Sequence, residues 1–368
     1  MLKFTLTDIF LSDAEQAVFS DGLRKADADK SVLDLYTCWF KGSSRWTRPL
    51  VLRAFEKNRL VSAAILLECR RYGPSLFRSP FLYKPLELFG PPVIIWLRVG
   101  FGPEVAANPG FFAPDINPHE TTAQLIDYLS RNCLALFIID MHKNTSFHKR
   151  ANIFPYVDEG MVDISDMKVV QDYIDEHRNI KRKIKSFTNK GGTIEMHRGK
   201  LNTSTQQSLV KCCTTTMKMS FIYSPFQDAF IDVIKHTLSK NSTSFVHLIA
   251  KMNDSILGYH SFFETGSTLR MMHGAFNREM KTTYHSYENL IIAAVDHAIK
   301  QNFSKVFFGP IMNETKRRMM REVEPCCVFF YSKNSFIRFF FPFIYSRSNL
   351  QKKELLEYSL TRATFHEG

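Results

Sequence analysis

Two histidines, His260 and His273, fall in neighbouring apolar segments, "SILGYHSFFE" and "TLRMMHGAFN". An imidazole changes charge near neutral pH, so either can serve as a base. A histidine on a strand is more commonly structural, and geometry has to decide between the two roles. Glu264 is a further candidate base, close to a turn. Arg270 can hold an anion. Arg178 and Arg182, one helical turn apart in "HRNIKRKIKS", can do the same from a helix facing a cleft. Tyr284 and Tyr287 open a long amphipathic segment, where a phenol can donate a proton or hold a substrate. Tyr287 also fits the apolar face of that segment and so reads as core. Lys316 stands beside Arg317 and Arg318 in "NETKRR", which by itself is a surface cluster.

Other chemistries find no support in the residue pattern. Histidines are dispersed, and no acidic pair sits near them at ligand spacing, so no metal site is expected. There is no phosphate-binding loop, dinucleotide fingerprint or nucleophile elbow. The seven cysteines include Cys212-Cys213 and Cys326-Cys327, with no CxxC and an odd count. That usage fits reduced thiols in a cytoplasmic protein. Cys212 and Cys213 lie on an apparent helix and read as packed.

The candidates need elements to position them. The 368 residues include 33 Phe, enough apolar bulk for a large core and two domains. Residues 1–160 read as one mixed α/β unit. "LVLRAFEKNRLVSAAILLECRRYG" predicts two strands joined at Lys57-Asn58. "HETTAQLIDYLSRNC" predicts a helix starting at His119 or Thr121, and "LALFIID" a buried strand. Residues 161–192 form a basic helical connector with Ile180, Ile184 and Phe187 facing inward and Gly191-Gly192 ending it. Residues 193–335 carry two helices, the second capped by Ser224-Pro225. A three-strand meander turning at Asn253-Asp254 and Thr265-Gly266-Ser267 comes next. Then come an amphipathic helix, the strand "KVFFGP", a short helix "NETKRRMM" and a final strand "CCVFFY". The helix places Tyr287, Leu290, Ile291, Ala294 and Ala298 on one face. Residues 336–368 are an aromatic and basic tail.

This order, with a weaker copy in the first half, resembles the FemAB-like group of tandem GNAT transferases. The similarity spans residues about 40 to 335. It is carried by "RNIKRKIKSFTNKGGTIE", "SILGYHSFF", "YHSYENLIIAAVDHAIKQNFSKVFFGP" and "NETKRRM". The resemblance implies two GNAT-like domains, each a mixed, mostly antiparallel sheet flanked by helices. It implies transfer of an acyl or aminoacyl group to an amine. Lys316 matches the lysine after the last parallel strand, a position for phosphate or oxyanion binding. Tyr284 stands where a donor approaches. The segment before the helix, "NREMKTTYHSYEN", contains no glycine. That departs from the glycine loop that cradles pyrophosphate in acetyl-CoA-dependent members. The donor is thus left open among acyl-CoA, an acyl carrier protein and aminoacyl-tRNA, with no tightly bound cofactor.

A formal net charge of +12 suits anionic partners. The tail "NSFIRFFFPFIYSRSNLQKK" is too short to span a bilayer. It suits a peripheral membrane contact through residues 336–347, or packing over the second unit. The expected location is cytoplasmic, with possible attachment at the inner face of the membrane. The alternative to an enzyme is a non-catalytic GNAT-like module that binds RNA or anionic lipid headgroups.

Overall fold

The computed structural model describes residues 2–25, 32–41, 47–69, 93–96, 110–133, 135–142, 152–155, 159–177, 179–219, 227–277, 284–310, 314–324 and 326–339. Its first half opens with β1 (Lys3–Thr7), α1 (Asp13–Lys25) and α2 (Val32–Lys41). There follow β2 (Thr47–Glu56), β3 (Arg59–Cys69), β4 (Val93–Trp96), β5 (Phe111–Phe112), α3 (Pro118–Asn132), β6 (Ala135–His142) and β7 (Asn152–Pro155). The second half holds β8 (Glu159–Asp163), α4 (Val170–Glu176), α5 (Ile180–Asn189), β9 (Gly192–Arg198), α6 (Thr203–Met219) and α7 (Gln227–Ser239). It continues with β10 (Phe245–Met252), β11 (Ser255–Thr265), β12 (Thr268–Phe276), α8 (Ser286–Lys300), β13 (Lys305–Pro310), α9 (Glu314–Arg317), β14 (Glu322–Glu324) and β15 (Cys326–Tyr331).

Two mixed sheets result. Among the described residues the first runs β1-β2-β3-β4-β6-β15-β7, with β5 beside β3, and the second β14-β8-β13-β12-β11-β10-β9. Each has a single parallel joint among these strands, β4 with β6 and β12 with β13; every other pairing is antiparallel. The expected fold class is therefore the observed one.

Several turns form for the reasons legible in the residues. Lys57 and Asn58 both take positive φ, 48° and 66°, as a two-residue hairpin between β2 and β3 requires. Asn253, at φ 53°, does the same between β10 and β11. The first-half helix starts one step earlier than expected. Asn117 caps α3 by accepting from the His119 and Glu120 amides, and Pro118 takes the first position, where its missing N–H costs nothing. The basic connector is broken into α4 and α5 around His177, whose Nδ1 bonds the Tyr173 carbonyl at 2.8 Å. Ile180 and Phe187 are buried and Ile184 is half-buried, as their spacing predicts. The Ser224-Pro225 cap lies outside the described residues.

The halves interlock beyond the expected boundaries. β8, which straddles the expected boundary after residue 160, pairs with β13 in the second sheet. β15, read from sequence as the second unit's last strand, inserts between β6 and β7 of the first sheet. Phe245 and Phe263 of the second sheet pack in one core cluster with Phe19, Tyr36 and Phe111 of the first half. Lys240 reaches Asp34 at 2.9 Å across the same junction.

A buried arginine fastens the chain's beginning. Arg53 on β2 donates to Glu15 of α1 at 2.5 and 3.0 Å, to Thr7 Oγ1 at 2.7 Å, and to the carbonyls of Ile9 and Phe10. This side chain is 8% exposed. Removing it takes the donor from the Ile9 and Phe10 carbonyls and leaves Glu15 with Ser12 alone. Arg53→Met is expected to lower unfolding free energy by about 3 kcal/mol, read from urea denaturation midpoints.

Candidate functional site: a gap between two parted strands

β12 and β13 run together only from Thr268 opposite Lys305 to Arg270 opposite Phe307. Past that point β12 stays with β11, while β13 stays with β8. The two strands part, and a wedge opens between them. The β13–β8 register slips between Phe307 and Gly309, so Phe308 is a bulged residue. Gly309 follows at φ +67°, a conformation that favours glycine, and no described residue comes within 4 Å of where its Cβ would be.

Charged side chains cluster at the apex. Arg270 Nη2 lies 2.8 Å from Glu159 Oε1, with the two side chains 13% and 6% exposed. The same guanidinium lies 5.5 Å from the centre of the Phe307 ring. Lys316 folds back from α9 and is buried, and its Nζ donates to the Phe308 carbonyl at 2.5 Å. The bulge supplies that carbonyl. Burial pulls Lys316 down to about 8, against the attraction of Glu159. The sequence places Lys316 in a surface-like basic cluster; the fold turns it inward.

The N-terminus of α8 stands at the open side. His285 precedes it at φ 52°, without a side-chain cap bond. Ser286 is fully buried, and its hydroxyl has no hydrogen-bond partner among the described residues. Lys190 Nζ lies 5.4 Å from the centre of the Tyr284 ring. Lys183 of α5 pairs with Glu288 of α8 at 2.6 Å, tying the basic helix to the site helix. His285 is held below its ordinary value, first by burial, then by Lys183, Lys190 and Arg182, although Glu288 opposes them. The helix end therefore sits in a field of cations, which together with its own dipole favours an anion.

The sequence candidates divide among several places. Arg270 and Lys316 both lie by the parted strands, Arg270 paired with Glu159 and Lys316 on the Phe308 carbonyl. Tyr284 and the exposed Arg182 flank the start of α8, and Arg178 lies outside the described residues. Tyr287 is core: burial pushes its phenol up, and its ring packs edge-on to His260 at 5.7 Å and Phe276 at 5.1 Å. His260 is fully buried on that α8 side of the sheet. His273 joins a second polar group with Tyr259, which belongs to the core under α6 and α7. Its Nδ1 lies 3.1 Å from the Tyr259 hydroxyl. The two histidines thus do not share a site. Glu264 sits at the closed end of the wedge. Burial opposes its charge, but His297 at 2.7 Å and Arg198 at 2.7 and 2.9 Å outweigh it and keep its carboxyl low. Cys212 and Cys213 are both pushed up to about 11 by burial, which suits packing. Glu159 was not among the candidates. No described group of three or more His, Cys, Asp or Glu residues could hold a metal ion.

A mixed sheet whose two central parallel strands part beside a helix N-terminus, in a chain with a second mixed sheet that also has one parallel joint, fits a tandem GNAT-like fold. No protein-family model matches the chain, and no curated protein matches it in sequence. Solved structures do. L-PGS from Bacillus licheniformis superposes with a TM-score of 0.55 at 9% identity, covering 91% of this chain and 96% of that one. A C-terminal domain (DUF2156) assigned to a lysylphosphatidylglycerol synthetase of Agrobacterium fabrum gives 0.54 at 8%, covering 87% and 92%. FemX gives 0.53 at 10%, covering 89% and 97%. The chain has the FemAB-like tandem GNAT fold.

The buried histidines give this half an acid sensitivity. His247 bonds Ser261 Oγ at 2.8 Å and the Gly199 carbonyl at 3.1 Å; burial lowers it to about 4 and His273 to about 3. Both are neutral when folded and take up protons near pH 6.5 when unfolded. Their contribution is intact above about pH 6.5 and is lost progressively as pH falls toward about 4 and then about 3. Thermal melts across pH 7.5 to 4 are expected to show a falling Tm, with a shallower fall in His273→Phe.

Proposed function

We propose that the chain is an acyltransferase that moves an acyl or aminoacyl group onto an amine at the wedge between β12 and β13. The observation that carries this reading is the buried pair of cations, Arg270 and Lys316, at the apex of two parted strands. Acyl transfer asks for close placement, a countercharge for the developing oxyanion and a path for the amine proton. The amine nitrogen attacks the acyl carbon, and the carbonyl electrons move to oxygen beside Arg270 and Lys316. Collapse expels the donor's thiolate or alkoxide, which takes the proton released by the amine. Tyr284 stands where a leaving group would depart, and its phenol can relay that proton.

The donor's phosphates fit the start of α8, among Arg182, Lys183, Lys190 and His285. Arg178, next to this face in sequence, is proposed with them. His260 and His273 are lesser candidates for the base, since both are fully enclosed. Acyl-CoA, an acyl carrier protein and aminoacyl-tRNA each carry phosphate together with an activated acyl carbonyl. The names of the similar synthetases speak of a lysyl group joined to an anionic lipid, which supports an aminoacyl donor.

One observation favours a membrane surface nearby. Phe336 and Phe339 are 66% and 77% exposed, with Lys333 and Arg338 beside them. Aromatics at an interface with adjacent cations suit anionic headgroups. No helix among the described residues is long and apolar enough to cross a membrane. The rest of the tail segment 336–347 lies outside the described residues.

Thermal-shift and native mass spectrometry with acetyl-CoA, long-chain acyl-CoA, acyl carrier protein and charged tRNA test the reading. One donor is expected to bind and raise the Tm, with affinity reduced about ten-fold or more in Lys316→Ala. Binding only to bulk RNA or to anionic vesicles, unaffected by Lys316→Ala, would establish the non-catalytic module instead.

A further inference from the structure

The apex holds a third charged residue that the reaction above does not use. Glu159 begins β8, opposite Pro310 at the end of β13. It is 5% exposed, an unusual place for a carboxylate. A buried charge is tolerated only when it is paired, and Glu159 is paired on one side with Arg270 at 2.8 Å. On its other side it attracts Lys316, whose own burial works against its charge. Three strands and a short helix therefore converge on a buried triad of two cations and one anion.

We infer that Glu159 is a positioning residue of the wedge: its carboxylate fixes the Arg270 guanidinium at the apex, serves as countercharge to Lys316, and leaves the gap one net positive charge. That balance suits a ligand group bearing a single negative charge, such as the oxyanion that develops on a transferred acyl group. The chemical part rests on the acyl-transfer reading; the pairing of Glu159 with Arg270 rests on the geometry alone. Without Glu159, two buried cations would lose the carboxylate that each has near it. Arg270 would then be free to turn from the Phe307 ring, and Lys316 would give up its proton at a lower pH.

The test follows the Lys316 side chain directly. Protein labelled with 13C at the lysine Cε is titrated by NMR from pH 6 to 12, and Lys316 is assigned by its loss in Lys316→Arg. In the unaltered protein the Lys316 midpoint is expected near 8. In Glu159→Gln it is expected to drop by about one pH unit or more, since an opposite charge has been removed. Glu159→Asp is expected to restore most of the difference. If Glu159→Gln does not fold, Arg270→Gln serves: a Glu159 released from Arg270 is left to Lys316, which moves the same midpoint upward. An unmoved midpoint in a folded variant would overturn the assignment, because a merely structural carboxylate leaves the lysine titration where it was. A shifted midpoint with none of the four donors bound would keep the charge assignment and sink the acyl-transfer reading. Bound donor with an unmoved midpoint would do the reverse.

Discussion

A pair of neighbouring strands that stops hydrogen-bonding partway leaves backbone donors and acceptors with nothing opposite them. Everything around the β12–β13 wedge answers that constraint. Past Phe307, β13 stays with β8 and bulges, and the Phe308 carbonyl takes the ammonium of Lys316. β12 keeps β11 along its whole length. The N-terminus of α8, itself a set of unsatisfied amides, is brought to the opening. One interruption in a ladder thus gathers a carbonyl, an ammonium, a guanidinium and a helix end within one small region.

Burial then decides what those groups are. A lysine on the surface is a solvated cation; Lys316, nearly enclosed, is drawn down to about 8 and depends on its neighbours for its charge. The same effect silences other groups that look reactive on paper. Tyr287, His247 and His273 are all pushed toward their neutral forms, and the thiols of Cys38 and Cys133 are raised to about 11 and about 12. Enclosure alone therefore does not mark a site. The wedge differs from these cores in holding paired opposite charges where strands have separated.

The sequence was most informative where periodicity is local. The α8 face of Tyr287, Leu290, Ile291, Ala294 and Ala298 is buried as its spacing predicts. The hairpins at Lys57-Asn58 and Asn253 follow from residues that tolerate positive φ. Long-range pairing left weaker traces. β15, "CCVFFY", reads as a buried strand, but nothing in six apolar residues says which sheet it completes. β8 begins with Glu159, whose charge argues against burial until Arg270 is seen beside it. His260 and His273 lie in neighbouring segments, yet His260 stands opposite Gly274 and His273 opposite Ser261, so the alternation of side chains sets them on opposite faces. Lys316 was reachable only through family resemblance, since its position among Arg317 and Arg318 suggests solvent.

The placement of β15 also sets a timetable for the chain as it is made. The first sheet lacks the strand between β6 and β7 until residues 326–331 have left the ribosome. At usual elongation rates, that is on the order of ten seconds or more after β7 emerges. During this interval β6 and β7 each present an open edge, the kind that invites pairing with other chains. Meanwhile β8 waits for β13. The first sheet cannot be completed without β15, so the nascent chain depends on keeping that unfinished sheet apart from its neighbours until residues 326–331 arrive.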